Sequence, residues 1–140
     1  MTLVVARTRD ELAAATGQPV PTAVVMTMGA LHEGHAELMR EARRRLPPQG
    51  RIVVTDFVNP TQFGAGEDFD RYPRTLEADL EVCRMHGVDI VFAPSVEEVY
   101  GAGALGISVH PGPRGDILEG ASRPGHFAGV LTVVGKLLHL

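Results

Sequence analysis

The chain is 140 residues long, 44% hydrophobic and 21% charged, with a formal net charge of −4. That length fits one domain whose core buries roughly two-thirds of the unfolded surface, and the acidic balance argues against nucleic acid or a membrane as a general partner. No apolar run approaches the ~20 residues of a membrane span, and Cys83 stands alone, which excludes an internal disulfide and points to a reducing cytoplasm.

Leu3–Ala6 reads as a short buried strand, too short for the core of a signal peptide. Thr8-Arg9-Asp10-Glu11 has the spacing of a capping box, with Thr8 at the N-cap and Glu11 at N3, and Gly17 closes the helix it opens. After Pro19 and Pro21 comes a second strand, Thr22 to Met26. The stretch Met28-Gly29-Ala30-Leu31-His32-Glu33-Gly34-His35 then joins this strand to a helix from about Gly34 to Leu46, stopped by Pro47-Pro48. Strand, glycine turn and helix start in that order gather backbone N–H groups and two imidazoles at a helix N-terminus, where unpaired donors and the peptide dipoles favour anions. The spacing separates this motif from a zinc protease, whose His-Glu-Xaa-Xaa-His puts both rings on one helical face. Here the histidines are three apart around Gly34, and no third ligand follows nearby, so phosphate is the expected ligand and no protein-held metal is predicted. Arg40, Arg43, Arg44 and Arg45 fall toward the helix C-terminus and read as a solvated face that offsets the dipole.

Arg51 to Phe57 is a third strand, followed by a long loop from Val58 to Arg74 that carries Asn59, Gln62, Phe63, Tyr72 and Arg74, a mixture of donors and rings suited to a ligand wall. Thr75 is placed to cap the next helix, which Gly87 ends. Val88 to Ala93 gives a fourth strand, Ser95 a second capping box on a short helix reaching Tyr100, Gly101 to Gly106 a flexible connection, and Ile107 to His110 a short fifth strand. A Gly- and Pro-dense segment from Pro111 to Gly125 precedes a helix from His126 with an apolar stripe of Phe127, Val130, Leu131, Val134, Leu137 and Leu138. Strands apolar on both faces and alternating with helices predict an α/β fold with a parallel sheet covered on both sides. Ligands of such sheets bind at the carboxyl ends of the strands, toward which the histidine turn and the Asn59/Gln62 loop lead.

Four segments in order, MGALHEGH, FVNPTQF, RYPRTLEADL and LEGASRPGHFAGVLTVVGKLL, resemble the pantothenate synthetase (pantoate–β-alanine ligase) family of the His-Xaa-Gly-His (HxGH) nucleotidyltransferase superfamily. The resemblance implies a Rossmann-like fold, and an activity that joins pantoate to β-alanine using ATP, through a pantoyl adenylate, with Mg2+ held mainly by the ATP phosphates. It also implies a cytoplasmic homodimer with small-molecule substrates only. By the same resemblance Met28, Gly29, Ala30, Leu31, His32, Glu33, Gly34 and His35 would hold the ATP phosphates, with His32 and His35 catalytic and His35 the proton donor. Gln62 and Asn59 would bind pantoate and help admit β-alanine, Tyr72 and Arg74 would sit in a mobile cover, Arg123 and His126 would border the site, and Val130, Val133 and Val134 would form its apolar floor. Pantoate brings its own carboxylate nucleophile, in keeping with the lack of an evident Ser/His/Asp or Cys/His arrangement.

Two departures from the family pattern stand out. Thr27 occupies the place of a proline, which restores a backbone donor and loosens φ. Residues 1–140 correspond to an N-terminal nucleotide- and pantoate-binding domain, and the Lys- and Ser-bearing ATP segments of a C-terminal part are expected but absent, so a truncated chain inactive by itself is the expectation. The alternatives are another HxGH nucleotidyltransferase, against which the cation-poor Asn-Pro-Xaa-Gln-Phe loop argues, and a non-catalytic nucleotide-binding or dimerisation module.

Overall fold

The computed structural model describes residues 2–103 and 105–140, which leaves Ala104 of the expected 101–106 connection outside the description. The chain forms two compact units, residues up to 57 with 73–95, and residues 58–72 with 96–140.

The first unit is a parallel sheet with helices. β1 (Val4–Ala6), α1 (Arg9–Thr16), β2 (Thr22–Thr27), α2 (Glu33–Arg45), β3 (Arg51–Asp56), α3 (Leu76–Met85) and β4 (Ile90–Phe92) follow in chain order, and the strands lie in the order β1-β4-β3-β2 with every neighbouring pair parallel. β3 is central because Ile52, Val53, Val54 and Thr55 are all buried, the near-continuous burial of a parallel strand covered on both faces. The core gathers Val25, Ile52, Val54 and Val91 from the sheet with Met39 of α2 and Leu80 and Cys83 of α3. The register sets Thr27 beside Asp56, so the carboxyl ends of β2 and β3 finish together. The capping box of α1 forms as its sequence predicts, with Glu11 N–H donating to Thr8 Oγ1 at 3.1 Å and Gly17 closing the helix at φ 46°. Arg43 departs from the solvated face expected of it. It donates to the carbonyls of Gly50 and Gly87 and to Asp89 Oδ2 at 2.8–2.9 Å, while Asp89 Oδ2 also accepts Ile52 N–H, so it ties the end of α2 to the edges of β3 and β4.

The second unit holds a 3₁₀ turn at Pro60–Gln62, α4 (Val96–Tyr100), a 3₁₀ segment at Gly112–Asp116, α5 (Glu119–Ser122) and α6 (His126–Leu137). The fifth strand expected at Ile107–His110 does not form: Ile107 and Val109 are exposed, and Val109 N–H donates to Thr132 Oγ1 at 2.9 Å instead of to a strand. Among the described residues the sheet has four strands. α6 begins where its sequence predicts, but its fully buried line is Gly129, Thr132 and Val133, and Leu131 and Leu138 of the expected stripe are exposed. Small and hydroxyl side chains win that face because the helix backbone lies against the 60–62 turn. A Cβ on Gly129 would overlap the Thr61 carbonyl oxygen and lie 2.8 Å from Gln62 N.

Gly129→Ala therefore sets two effects against each other. Alanine gains about 1 kcal/mol of helix propensity over glycine, while forced overpacking against backbone costs about 1–3 kcal/mol. Denaturant melts should show a net loss for Gly129→Ala. Gly135→Ala on the same helix, whose Cβ meets only Val109 Cγ2 at 3.7 Å, should be neutral or stabilising. Equal behaviour of the two variants would contradict this packing.

Candidate functional site

In the first unit the chain leaves β2 through a turn pinned by Thr27. Its Oγ1 donates to Thr55 carbonyl oxygen at 2.8 Å and accepts Gly29 N–H at 3.2 Å, so the hydroxyl ties the turn to β3 where a proline would have none to offer. Gly29 (φ 77°) and Ala30 (φ 51°) are both left-handed. Gly29 is required twice over, by that φ and because a Cβ there would run into the carboxyl groups of Asp56 and Asp79. Successive N–H groups in such a conformation form a concavity that binds anions. Here the anion is supplied by the protein: buried Asp79 of α3 accepts Ala30 N–H at 3.0 Å and Leu31 N–H at 2.7 Å, one on each carboxylate oxygen. Thr75, at the N-cap position of α3, makes no side-chain cap bond and turns its hydroxyl to Asp79 at 3.2 Å.

The two histidines then cap α2 reciprocally. His32 is the N-cap and His35 is N3; His32 Nδ1 accepts Gly34 N–H at 3.1 Å and His35 Nδ1 accepts His32 N–H at 3.2 Å, a capping box built from imidazoles. A Cβ on Gly34 would lie 2.9 Å from His32 Cε1, which is why glycine stands between the histidines. Because both Nδ1 atoms are acceptors, the proton of each neutral ring sits on Nε2, on the far side from the cap. Burial, with the neighbouring His32 ring second, holds His35 below the ordinary imidazole value against an opposing pull from Asp79, so it is a neutral donor at pH 7. The backbone N–H groups of Gly29, Ala30, Leu31, His32 and Gly34 are thus already engaged within the protein, and the imidazole Nε2–H groups are the side-chain donors this motif offers a ligand. Glu33 is exposed and paired with Arg40, which holds its carboxyl below the usual range.

Asp56, at the end of β3, lies against Asp79. Burial first, then the charge of Asp79 and a hydrogen bond with it, push the Asp56 carboxyl up to about 6, and its Oδ2 is buried without a partner. Two carboxyl groups this close cannot both ionise without repulsion, so the pair keeps a proton up to about pH 6. Burial and the same two carboxylates push the Cys83 thiol up to about 12, which leaves it inert.

In the second unit Asn59 is 1% exposed and spends every polar bond internally. Its Oδ1 accepts Thr61 N–H, Thr61 Oγ1 and Tyr100 OH at 3.3, 2.9 and 2.5 Å, and its Nδ2 donates to Gln62 Oε1 and to Gly129 carbonyl oxygen at 3.0 and 3.1 Å. The Gln62 carbonyl accepts from Arg123 Nη2 at 3.2 Å and His126 Nδ1 at 3.0 Å. Arg123 is gripped by Glu67 at 2.8 Å, and that guanidinium, with the Gly64 N–H second, draws the Glu67 carboxyl down to about 2. Tyr72 meets Phe63 edge to face at 5.9 Å. Val133 is buried in α6, with Val130 and Val134 half-buried.

The structure thus brings His32 to His35 in one unit and Asn59, Gln62, Arg123 and His126 together in the other, each within its own unit. The sequence reading missed Asp56, Asp79, Glu67 and Tyr100 as supports. Asp79 gave no local signal beyond an acidic residue in the first turn of α3, and the backbone N–H groups it accepts lie 48 and 49 positions away.

Residues 3–140 match the family model described as pantoate-beta-alanine ligase. Curated relatives named pantothenate synthetase include one from Nocardioides sp., 62% identical over 98% of this chain and 43% of the relative, and one from Streptomyces avermitilis, 60% identical over 100% and 42%. The chain therefore spans less than half the length of these relatives. Among solved structures, pantoate-beta-alanine ligase from Francisella tularensis, complexed with beta-gamma ATP and beta-alanine, superposes with a TM-score of 0.90 at 37% identity over 99% of this chain and 53% of that one. Pantothenate synthetase from Thermus thermophilus gives 0.87 at 46% identity over 97% and 48%. With these neighbours, the parallel sheet is that of a Rossmann-like nucleotidyltransferase.

The Asp56–Asp79 pair predicts a specific pH dependence. A carboxyl whose folded pKa is raised stays protonated in the native state after the unfolded chain has ionised, so the pair lowers stability as pH rises from about 4 to about 6. The amide introduced by Asp56→Asn keeps a donor toward Asp79 without the charge. The melting temperature of Asp56→Asn minus that of the wild type should rise across this window, whereas a pH-independent difference would rule out the shared proton.

Proposed function

The chain belongs to the pantoate–β-alanine ligase family, and from that premise we propose that it provides the phosphate-binding histidines and the pantoate-binding glutamine of an ATP-dependent synthesis of pantothenate. The observation that carries this reading is the reciprocal imidazole cap of α2, which leaves two Nε2–H donors at a helix N-terminus. In the proposed reaction the pantoate carboxylate attacks the α-phosphorus of ATP, pyrophosphate leaves, and the β-alanine amine then attacks the adenylated carbonyl to release AMP. No protein nucleophile is required. What the protein must supply is position and stabilisation of charge as it spreads over the phosphoryl oxygens. His32 and His35 suit that task because their rings are fixed by backbone bonds before the ligand arrives and need no reorganisation. Gln62 suits pantoate because a neutral amide can bind a hydroxy acid without quenching the nucleophilicity of its carboxylate.

Mg2+ enters the proposal as an ion carried by the triphosphate. Among the described residues no group of three or more His, Cys, Asp or Glu is placed to hold a metal ion. The Asp56–Asp79 pair offers only two carboxyls, one of which already accepts two backbone N–H bonds. The proposed enzyme is a cytoplasmic homodimer. No helix among the described residues is long and apolar enough to cross a membrane.

Two variants separate the roles. In a full-length form of the enzyme, His35→Ala should reduce pantoate-dependent isotope exchange between pyrophosphate and ATP by ~10²–10³, the usual effect of losing one transition-state donor, with the fold confirmed by a melt. Gln62→Ala should weaken pantoate binding in calorimetry by about 1–3 kcal/mol and leave ATP binding nearly unchanged. Exchange within a few-fold of wild type for the first variant, or equal loss of both ligands for the second, would overturn the assignment.

A further inference from the structure

Gln62 has an amide with two chemically opposite ends, and which end faces a ligand decides what that ligand can be. The hydrogen bonds around Asn59 settle the orientation. Thr61 N–H is a backbone donor, so the Asn59 atom that receives it is the oxygen. The hydroxyls of Thr61 and Tyr100 donate to the same atom, at 2.9 and 2.5 Å. Burial pushes the Tyr100 phenol up, against a lowering by Thr61, so it holds its proton and remains a donor. The other end of the Asn59 side chain is then the NH2 group, in agreement with its contact to the Gly129 carbonyl at 3.1 Å, an obligate acceptor. That NH2 points its second hydrogen at Gln62, so the facing Gln62 atom is Oε1. Gln62 Nε2 is left without a partner among the described residues.

We propose that Tyr100, through Asn59, is a positioning residue that holds the Gln62 amide with its N–H groups toward the ligand, and so selects an acceptor-rich ligand, an acid or its hydroxyl oxygens, over a donor such as an amine. The relay runs from a residue of α4 through Asn59 to the 3₁₀ turn, and the Arg123 and His126 bonds to the Gln62 carbonyl fix the main chain from which the side chain swings. Loss of the Tyr100 hydroxyl removes the shortest of the three donors to Asn59 Oδ1, leaves the side chain held by the longer Thr61 and Gly129 bonds, and so loosens the relay. An aspartate at position 59 does more. It has no NH2, so an oxygen faces Gln62, and the glutamine must reverse its amide and present Oε1 to the ligand.

The proposal rests on the reading of Gln62 as a pantoate partner, and two readouts keep the two apart. The first needs no substrate: heteronuclear relaxation of the Gln62 side-chain NH2 in the free protein. It should be ordered in wild type, more mobile in Tyr100→Phe, and shifted to a hydrogen-bonded position in Asn59→Asp. The second is calorimetry, where Tyr100→Phe should weaken pantoate about three- to tenfold and Asn59→Asp at least about tenfold, with ATP affinity unchanged in both. A wild type that fails to bind pantoate overturns the proposed function, while the relaxation data still decide the relay. Gln62 NH2 dynamics equal in wild type and Tyr100→Phe overturn the relay whatever the binding shows. Should Asn59→Asp fail to fold, Tyr100→Phe alone decides.

Discussion

The first unit depends on one buried carboxylate. Asp79 places an oxygen on each of two consecutive N–H groups, those of Ala30 and Leu31, and these bonds to a charged acceptor are stronger than neutral ones. They hold a left-handed pair of residues that includes alanine, a conformation with a steric cost for anything but glycine. With that turn fixed, His32 falls at the N-cap of α2 and His35 three residues on, and the imidazole cap follows. The carboxylate also sets the terms for its neighbours. Gly29 has no room for a side chain beside it, and the charge of Asp79 helps hold a proton on Asp56 up to about pH 6.

The second unit uses the same physical arrangement with neutral groups. Asn59 is saturated by five internal hydrogen bonds and almost without exposure, and what it holds is the end of Gln62. Arg123 and His126, which the family resemblance puts at the border of the site, both donate to the Gln62 main chain, and Glu67 holds Arg123 in turn. In both units a buried, fully bonded polar residue supports a half-exposed one whose remaining donor is free. Preorganised neutral donors suit chemistry in which the substrates provide nucleophile, electrophile and leaving group, because catalysis then needs position and charge stabilisation more than bond-making by the protein.

What the sequence determined by itself is the part of the structure that depends on neighbours within a few residues. The Thr8–Glu11 box, the closing glycine of α1, the start of α2 at the His-Xaa-Gly-His motif and the start of α6 at His126 appear where the spacing put them, since caps and helical periodicity act over one or two turns. The parallel sheet was legible for a similar reason: strands apolar on both faces leave few other arrangements. The order of motifs carried the family. Tertiary structure decided which polar residues face a ligand and which are used up inside. Asp79 reaches across 48 positions to Leu31, and Asn59 across 70 to Gly129, and no local pattern marks such pairs. It also decided that Ile107–His110 is not a strand and that α6 buries Gly129 and Thr132 in place of two of its leucines. Propensity and stripe-counting register how apolar a segment is, whereas burial is settled by what comes to lie against it, here the backbone of the 60–62 turn and one hydroxyl of Thr132.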